Sequence, residues 1–212
     1  MILPRRTLLA ALAASLGARP GWAQWPVPAA GGVSFRVMRK GSRIGTHALA
    51  FEPSGGSLTV RVAIDIAVTM GPITLYRYTQ RAVEMWDRDG FASLDSRTDD
   101  DGTKKSVQAR REAGRIAVAA PGGNYAAPAD AKPLTFWNAG TLAGPLIDIE
   151  DGALKRPTAA APVAAATPGG GAARMVALRG GPDAEVWYAD GIGWCGLRFA
   201  GRDGSIIVYE RA

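Results

Sequence analysis

Cysteine and histidine are almost missing from this chain: its 212 residues hold one of each, Cys195 and His47. A lone thiol excludes an internal disulfide. One imidazole and one thiol together exclude the multi-histidine and multi-cysteine zinc sites. The sequence has no Gly-x-Ser-x-Gly elbow and no glycine-rich phosphate loop ending in Lys-Ser/Thr. A serine or cysteine nucleophile in need of a histidine base has only His47 to use. Beyond residue 23 no apolar run is long enough to cross a membrane as a helix.

Excess charge is also scarce once the N-terminus is set aside. Arg5-Arg6 starts a targeting segment, Leu8 to Ala18 is apolar but too short to span a bilayer, and Gly21-Trp22-Ala23 presents small residues for cleavage. The expected mature chain begins at Gln24. The run Pro4-Arg5-Arg6-Thr7-Leu8-Leu9 fits an ordinary secretory signal and a twin-arginine signal equally. No cysteine follows the cleavage position, which argues against a lipoprotein anchor. Segment 1–23 holds Arg5, Arg6 and Arg19 and no acid, so its removal lowers the formal net charge from +6 to +3. That is too weak a balance to point to nucleic acid. Lys104-Lys105 and Arg110-Arg111 read as a solvated strand edge. The expectation is a soluble, exported, periplasmic protein.

Turns and alternation are what the chain has in quantity. Asp-Gly pairs stand at Asp89-Gly90, Asp101-Gly102, Asp151-Gly152, Asp190-Gly191 and Asp203-Gly204, and such pairs tolerate the positive φ of tight hairpins. Between Ser57 and Val68, Leu58, Val60, Val62, Ile64, Ile66 and Val68 share one face, which predicts a strand with one dry side. Further strands are predicted at Val33–Met38, Arg43–Phe51, Ile73–Trp86, Phe91–Thr98, Lys104–Glu112 and Arg115–Ala119. After Pro121 the regularity breaks. Thr135 to Ala143 reads as one short helix or helical turn closed by Gly144-Pro145, and Leu146–Ile149 with Ala153–Arg156 flank a turn. Residues 157–171, all Pro, Ala, Gly, Thr and Val, read as a flexible loop without packing anchors. Strands resume at Arg174–Arg179, Glu185–Ala189, Trp194–Ala200 and Ser205–Glu210.

Residues 24–212 are therefore predicted to form one mainly β domain. It is a single antiparallel meander curled into a half-open or closed barrel, with one short helix across its mouth or inside the curve.

The chemical motifs are weak. Gly191-Ile192-Gly193-Trp194-Cys195-Gly196 has dinucleotide-fingerprint spacing, but a strand follows where the motif needs a helix. Asp99-Asp100-Asp101-Gly102 fails the calcium-loop register and reads as a turn. Parity places His47 with Leu49 and Phe51, and Cys195 with Leu197 and Phe199, as structural residues of the interior. Aromatics are the remaining asset, and a curved sheet can line an apolar pocket with them.

These features come in a familiar order. Arg43-Ile44-Gly45 precedes Tyr76-Arg77-Tyr78 and Glu84-Met85-Trp86, and Thr98-Asp99-Asp100-Asp101-Gly102 follows. Trp137-Asn138, Leu146-Ile147-Asp148, Trp187-Tyr188 and Trp194-Cys195-Gly196-Leu197-Arg198-Phe199 complete the series. Together they resemble an uncharacterised family of exported proteobacterial proteins, a domain of unknown function. That family is distantly similar in architecture to half-barrel lipoprotein carriers of the LolA/LolB type, which implies an apolar cavity for acyl chains. The resemblance brings no catalytic residues.

The expectation is thus a non-enzymatic protein without metal or cofactor. A lipid or other hydrophobic small molecule would be held by Val62, Ile64, Ile66, Trp86, Trp137 and Phe199. The alternative is an envelope assembly or protein-interaction domain with a filled core and no ligand.

Overall fold

The computed structural model describes residues 27–28 and 31–212. The targeting segment expected over 1–23 lies outside them. The N-terminal half is an unbroken meander: β1 (Gly32–Arg39), β2 (Ser42–Ser54), β3 (Ser57–Met70), β4 (Ile73–Asp87), β5 (Gly90–Asp100), β6 (Thr103–Glu112), β7 (Arg115–Ala120) and β8 (Gly123–Pro128). Each pairs antiparallel with the next.

Residues 129–156 leave the sheet. They carry β9 (Lys132–Pro133), β10 (Leu146–Ile147) and β11 (Leu154–Lys155), which form a small separate sheet. The helix expected over Thr135–Ala143 shrinks to a single 3-10 turn at Ala139–Thr141, capped by the Asn138 side chain on the Gly140 amide.

The chain then returns as β12 (Thr158–Ala159), β13 (Val163–Ala166), β14 (Ala172–Arg179), β15 (Ala184–Ala189), β16 (Gly193–Ala200) and β17 (Ile206–Arg211). β17 pairs antiparallel with β1 and joins both halves into one 14-stranded sheet. The sheet stays open, because β8 at one end is not bonded to β12 or β13 at the other. The architecture is a half-open barrel.

Two segments depart from the sequence reading. β8, Gly-Asn-Tyr-Ala-Ala-Pro, has too few apolar residues to show alternation, yet it pairs along its length with β7. Residues 157–171 were expected as an unanchored loop, but β12 and β13 both pair with β14. Backbone hydrogen bonds need no side-chain signal, so an Ala-rich segment can join a ladder that its composition does not announce.

Registry across β2–β6 lays the inward side chains in rows. Phe51, Val60, Glu84, Leu94 and Ala109 form one, and Leu49, Val62, Ala82, Ser96 and Val107 the next. Then come His47, Ile64, Gln80, Thr98 and Lys105, and last Gly45, Ile66, Tyr78, Asp100 and Thr103. The inner face thus grows more polar toward the end that carries the β3–β4 and β5–β6 turns. Gly45 is required in its row, since a Cβ there would meet the Asp65 carbonyl oxygen at 2.1 Å.

Candidate functional site

Residues 129–156 enter the curve and act as a plug between its two walls. On one wall the Trp137 ring meets Phe51 and Trp86 edge to face, each with centroids 5.5 Å away. On the other wall the Phe136 ring lies 5.7 Å from Trp194, and the Tyr188 hydroxyl donates to the Phe136 carbonyl at 2.6 Å. The far end of the plug is held by Tyr125, whose hydroxyl donates to the Gly152 carbonyl at 2.6 Å. Gly152 has φ +75°, and its Cα sits so near β7 that a Cβ would fall 2.3 Å from that of Ala120.

Glu84 stands under the plug with no solvent exposure. Its Oε2 accepts from the indole of Trp86 at 2.8 Å and from that of Trp137 at 3.1 Å. Burial pushes its pKa up to about 7, against the opposing pull of the two indoles and of Thr135. The Thr135 hydroxyl is near enough to favour the charge, yet Oε1 itself has no hydrogen-bond partner among the described residues. Two rows away, Gln80 donates to Thr98 at 3.0 Å.

His47 is walled by Phe35, Trp194 and Tyr209, with centroids 6.3, 5.3 and 5.4 Å distant. Among the described residues neither ring nitrogen has a hydrogen-bond partner, and burial lowers the pKa to about 3. This imidazole is therefore neutral at pH 7. Cys195 is buried and its thiol pKa is raised by that burial, which opposes nucleophilic use.

The polar end of the inner face carries a charged cluster drawn from four separate stretches of chain. The Asp100 carboxylate accepts from Tyr76 at 2.7 Å and from Arg202 at 2.8 Å, with Lys105 at 3.5 Å. Glu150, from the plug, accepts from Lys105 at 2.6 Å, Arg202 at 2.9 Å and Tyr78 at 3.3 Å. Burial acts to raise the Asp100 pKa, but Tyr76, Arg202 and Lys105 outweigh it and hold the group below the usual carboxylate range. Two anions face two cations here, so the cluster closes on itself as a clasp between plug, β4–β6 and the β16–β17 turn.

The six residues expected to line a ligand space are distributed through this filled interior. Val62, Ile64, Trp86 and Trp137 are buried in one continuous core, and Ile66 and Phe199 pack against it, partly covered. Trp86 and Trp137 do come together, but in contact with each other; Phe199 lies apart, against Tyr209 at 6.0 Å. Trp137 packs among these side chains, against Trp86 and Phe51. Three hollows of about 320, 380 and 450 Å³ lie on the outer side and rim of the sheet, and Phe199 alone of the six borders one. Sequence reasoning missed Glu84 as the pivot of the interior. A carboxylate sharing parity with Ala82 and Trp86 on a dry face was the available signal.

A family model described as a domain of unknown function (DUF6134) matches residues 35–212, so this chain belongs to that family. None of the curated proteins matches it. Among solved structures it is similar to a beta-barrel-like protein of domain of unknown function DUF1849 from Brucella abortus. The TM-score is 0.58 at 12% identity, over 85% of this chain and 94% of that one. At that identity the likeness extends to the fold alone.

Proposed function

We propose that this member of the family is an exported, non-catalytic domain that binds a protein partner through its surface, with the barrel interior as scaffold. The observation that carries this reading is the occupied lumen: the plug stands where a carrier would hold cargo, fixed between Phe51, Trp86 and Glu84. The two free edges of the sheet add to it. β8 and β13 carry no charged residue, and an uncharged edge accepts an added strand more readily than a charged one.

The test is native mass spectrometry of the purified protein, with solvent extraction, beside cross-linking in the cell envelope. The expected outcome is the bare chain mass, no extracted lipid, and a reproducible protein adduct. A co-purifying acyl chain would sink the proposal.

A second reading keeps the lipophilic ligand, admitted at the polar end when the plug shifts. Partial exposure of Ile66, Tyr78 and Phe199 favours it. It predicts that a fluorescent fatty acid binds, and that it binds more tightly when Trp137→Ala loosens the plug.

A further inference from the structure

The β3–β4 hairpin runs past its neighbours. β2 accompanies β3 only as far as Ile66, opposite Gly45, and β5 accompanies β4 only from Tyr78, opposite Asp100. The backbone of Arg77 is still held by Asp101, through Asp101 N to Arg77 O at 2.8 Å. Beyond it, β3 and β4 pair with each other alone. At roughly 3.3 Å per residue the finger projects about 13 Å.

From Ile66 to Tyr76 it contains no charged residue. Met70, Ile73 and Leu75 are 63%, 56% and 54% exposed, the most of any large apolar side chains among the described residues. They do not share a face. Met70 and Ile73 are cross-strand partners, and a bulge lies between Val68 and Thr69. Tyr76, opposite Val68, points inward, so its neighbour Leu75 points to the other side.

Basic residues flank the base. Lys40 stands on the adjoining β1–β2 turn, Arg43 at the start of β2 and Arg77 at the foot of the finger, and none of the three has an ion-pair partner among the described residues. On the β5 side, Asp99 and Asp101 turn their carboxylates to the amides of Gly102 and Arg77. Asp65 is paired with Arg81.

We propose that this finger docks into the interfacial layer of an anionic lipid bilayer. Met70, Ile73 and Leu75 enter it, and Lys40, Arg43 and Arg77 meet the headgroups. A groove on a protein covers one face of a hairpin, whereas lipid surrounds both and so reaches Met70 and Ile73 on one face and Leu75, beside Thr69 and Thr74, on the other. The outer edges of β3 and β4 are unpaired along the finger, and unpaired backbone groups are costly in hydrocarbon, so insertion stays shallow. Basic side chains near an anionic surface add attraction that salt screens. This inference stands apart from the filled-lumen reading, because vesicle binding and lipid carriage are measured separately.

The test uses the full chain carrying Met70→Cys labelled with a solvent-sensitive fluorophore, Cys195 being buried. The probes are vesicles of equal parts phosphatidylglycerol and phosphatidylcholine, with pure phosphatidylcholine for comparison. The expected result is a blue shift on the mixed vesicles, quenching by bilayer-embedded quenchers, and weakening in high salt. Met70→Asp with Ile73→Asp should lower affinity for the mixed vesicles by about tenfold or more, at an unchanged circular dichroism spectrum. Because the label reports the finger itself, any membrane contact by residues 1–23 does not imitate the signal. A label that stays solvent-like on both vesicles overturns the proposal. So does a shift that needs no lipid and grows with protein concentration, which would assign the finger to a second copy of the chain.

Discussion

Two carboxylates on the inner face of one sheet behave oppositely, and the contrast shows what each end of the barrel is built for. Glu84 and Asp100 are both largely withdrawn from water, on neighbouring strands of the meander. Glu84 meets only neutral donors, the indoles of Trp86 and Trp137, and burial raises its pKa to about 7. Asp100 meets Arg202 and Lys105, and its pKa falls despite burial. Desolvation is common to both, so the difference lies in the charge of the partners. One end is a dry packing junction that tolerates a protonated acid; the other is a wet clasp that needs an ionised one.

The largest expected effect comes from removing the packing at the dry end. Trp137→Ala takes out the ring between Phe51 and Trp86 and one of two donors to Glu84. Loss of a buried tryptophan costs about 4 kcal/mol, read as a lower denaturant midpoint in urea. A change below about 1 kcal/mol would show that the plug does not complete the core, and the comparison would lose its dry half.

The next effect sharpens the comparison through pH. Glu84 has a folded pKa above its unfolded value, so its contribution is full below pH 4.5 and is lost as pH rises to about 7. His47 shifts the other way, from 6.5 to about 3, so its contribution is present above pH 6.5 and lost as pH falls. Between pH 4.5 and 6.5 the two slopes oppose, each about 1.4 kcal/mol per pH unit, and the pair leaves the wild type nearly flat there. Glu84→Gln removes one slope. Its stability should then rise across that window by the His47 slope alone, measured by urea titrations at several pH values. A variant curve parallel to the wild type would mean that Glu84 is ionised throughout.

The meander was legible because its signal is repeated: six aliphatics in strict alternation in β3, and glycine-bearing turns between most strands. The plug was not, because Trp137, Leu142 and Ile147 bury themselves, and Phe136 packs against them partly covered, with almost no periodic backbone beneath them. Alternation identified Val62, Ile64, Ile66 and Trp86 as inward-facing or core-packed, but a dry face reads the same whether its occupant is a ligand or the chain itself. Trp137 came from the one irregular stretch, and where that stretch goes is a question of tertiary contact that local pattern does not answer. Likewise Asp100 and Arg202 are 102 residues apart, and nothing local joins them.

The smallest effect probes the wet end. Asp100→Asn leaves Arg202 and Lys105 facing a neutral amide and should cost about 2 kcal/mol at neutral pH, since a hydrogen-bonded charge is lost from a mostly covered position. The loss should fade as pH falls below the ordinary carboxylate range, where wild-type Asp100 is itself protonated; this is the opposite direction to Glu84. Arg202→Ala should cost only about 0.5 kcal/mol, because that side chain is 73% exposed, and salt should erase most of the difference. Lys105 remains between Asp100 and Glu150 in that variant, which is the physical reason for the asymmetry. If Arg202→Ala instead matched Asp100→Asn and resisted salt, the clasp would be as dry as the Glu84 junction, and the two ends of the barrel would differ in partners alone and not in access to water.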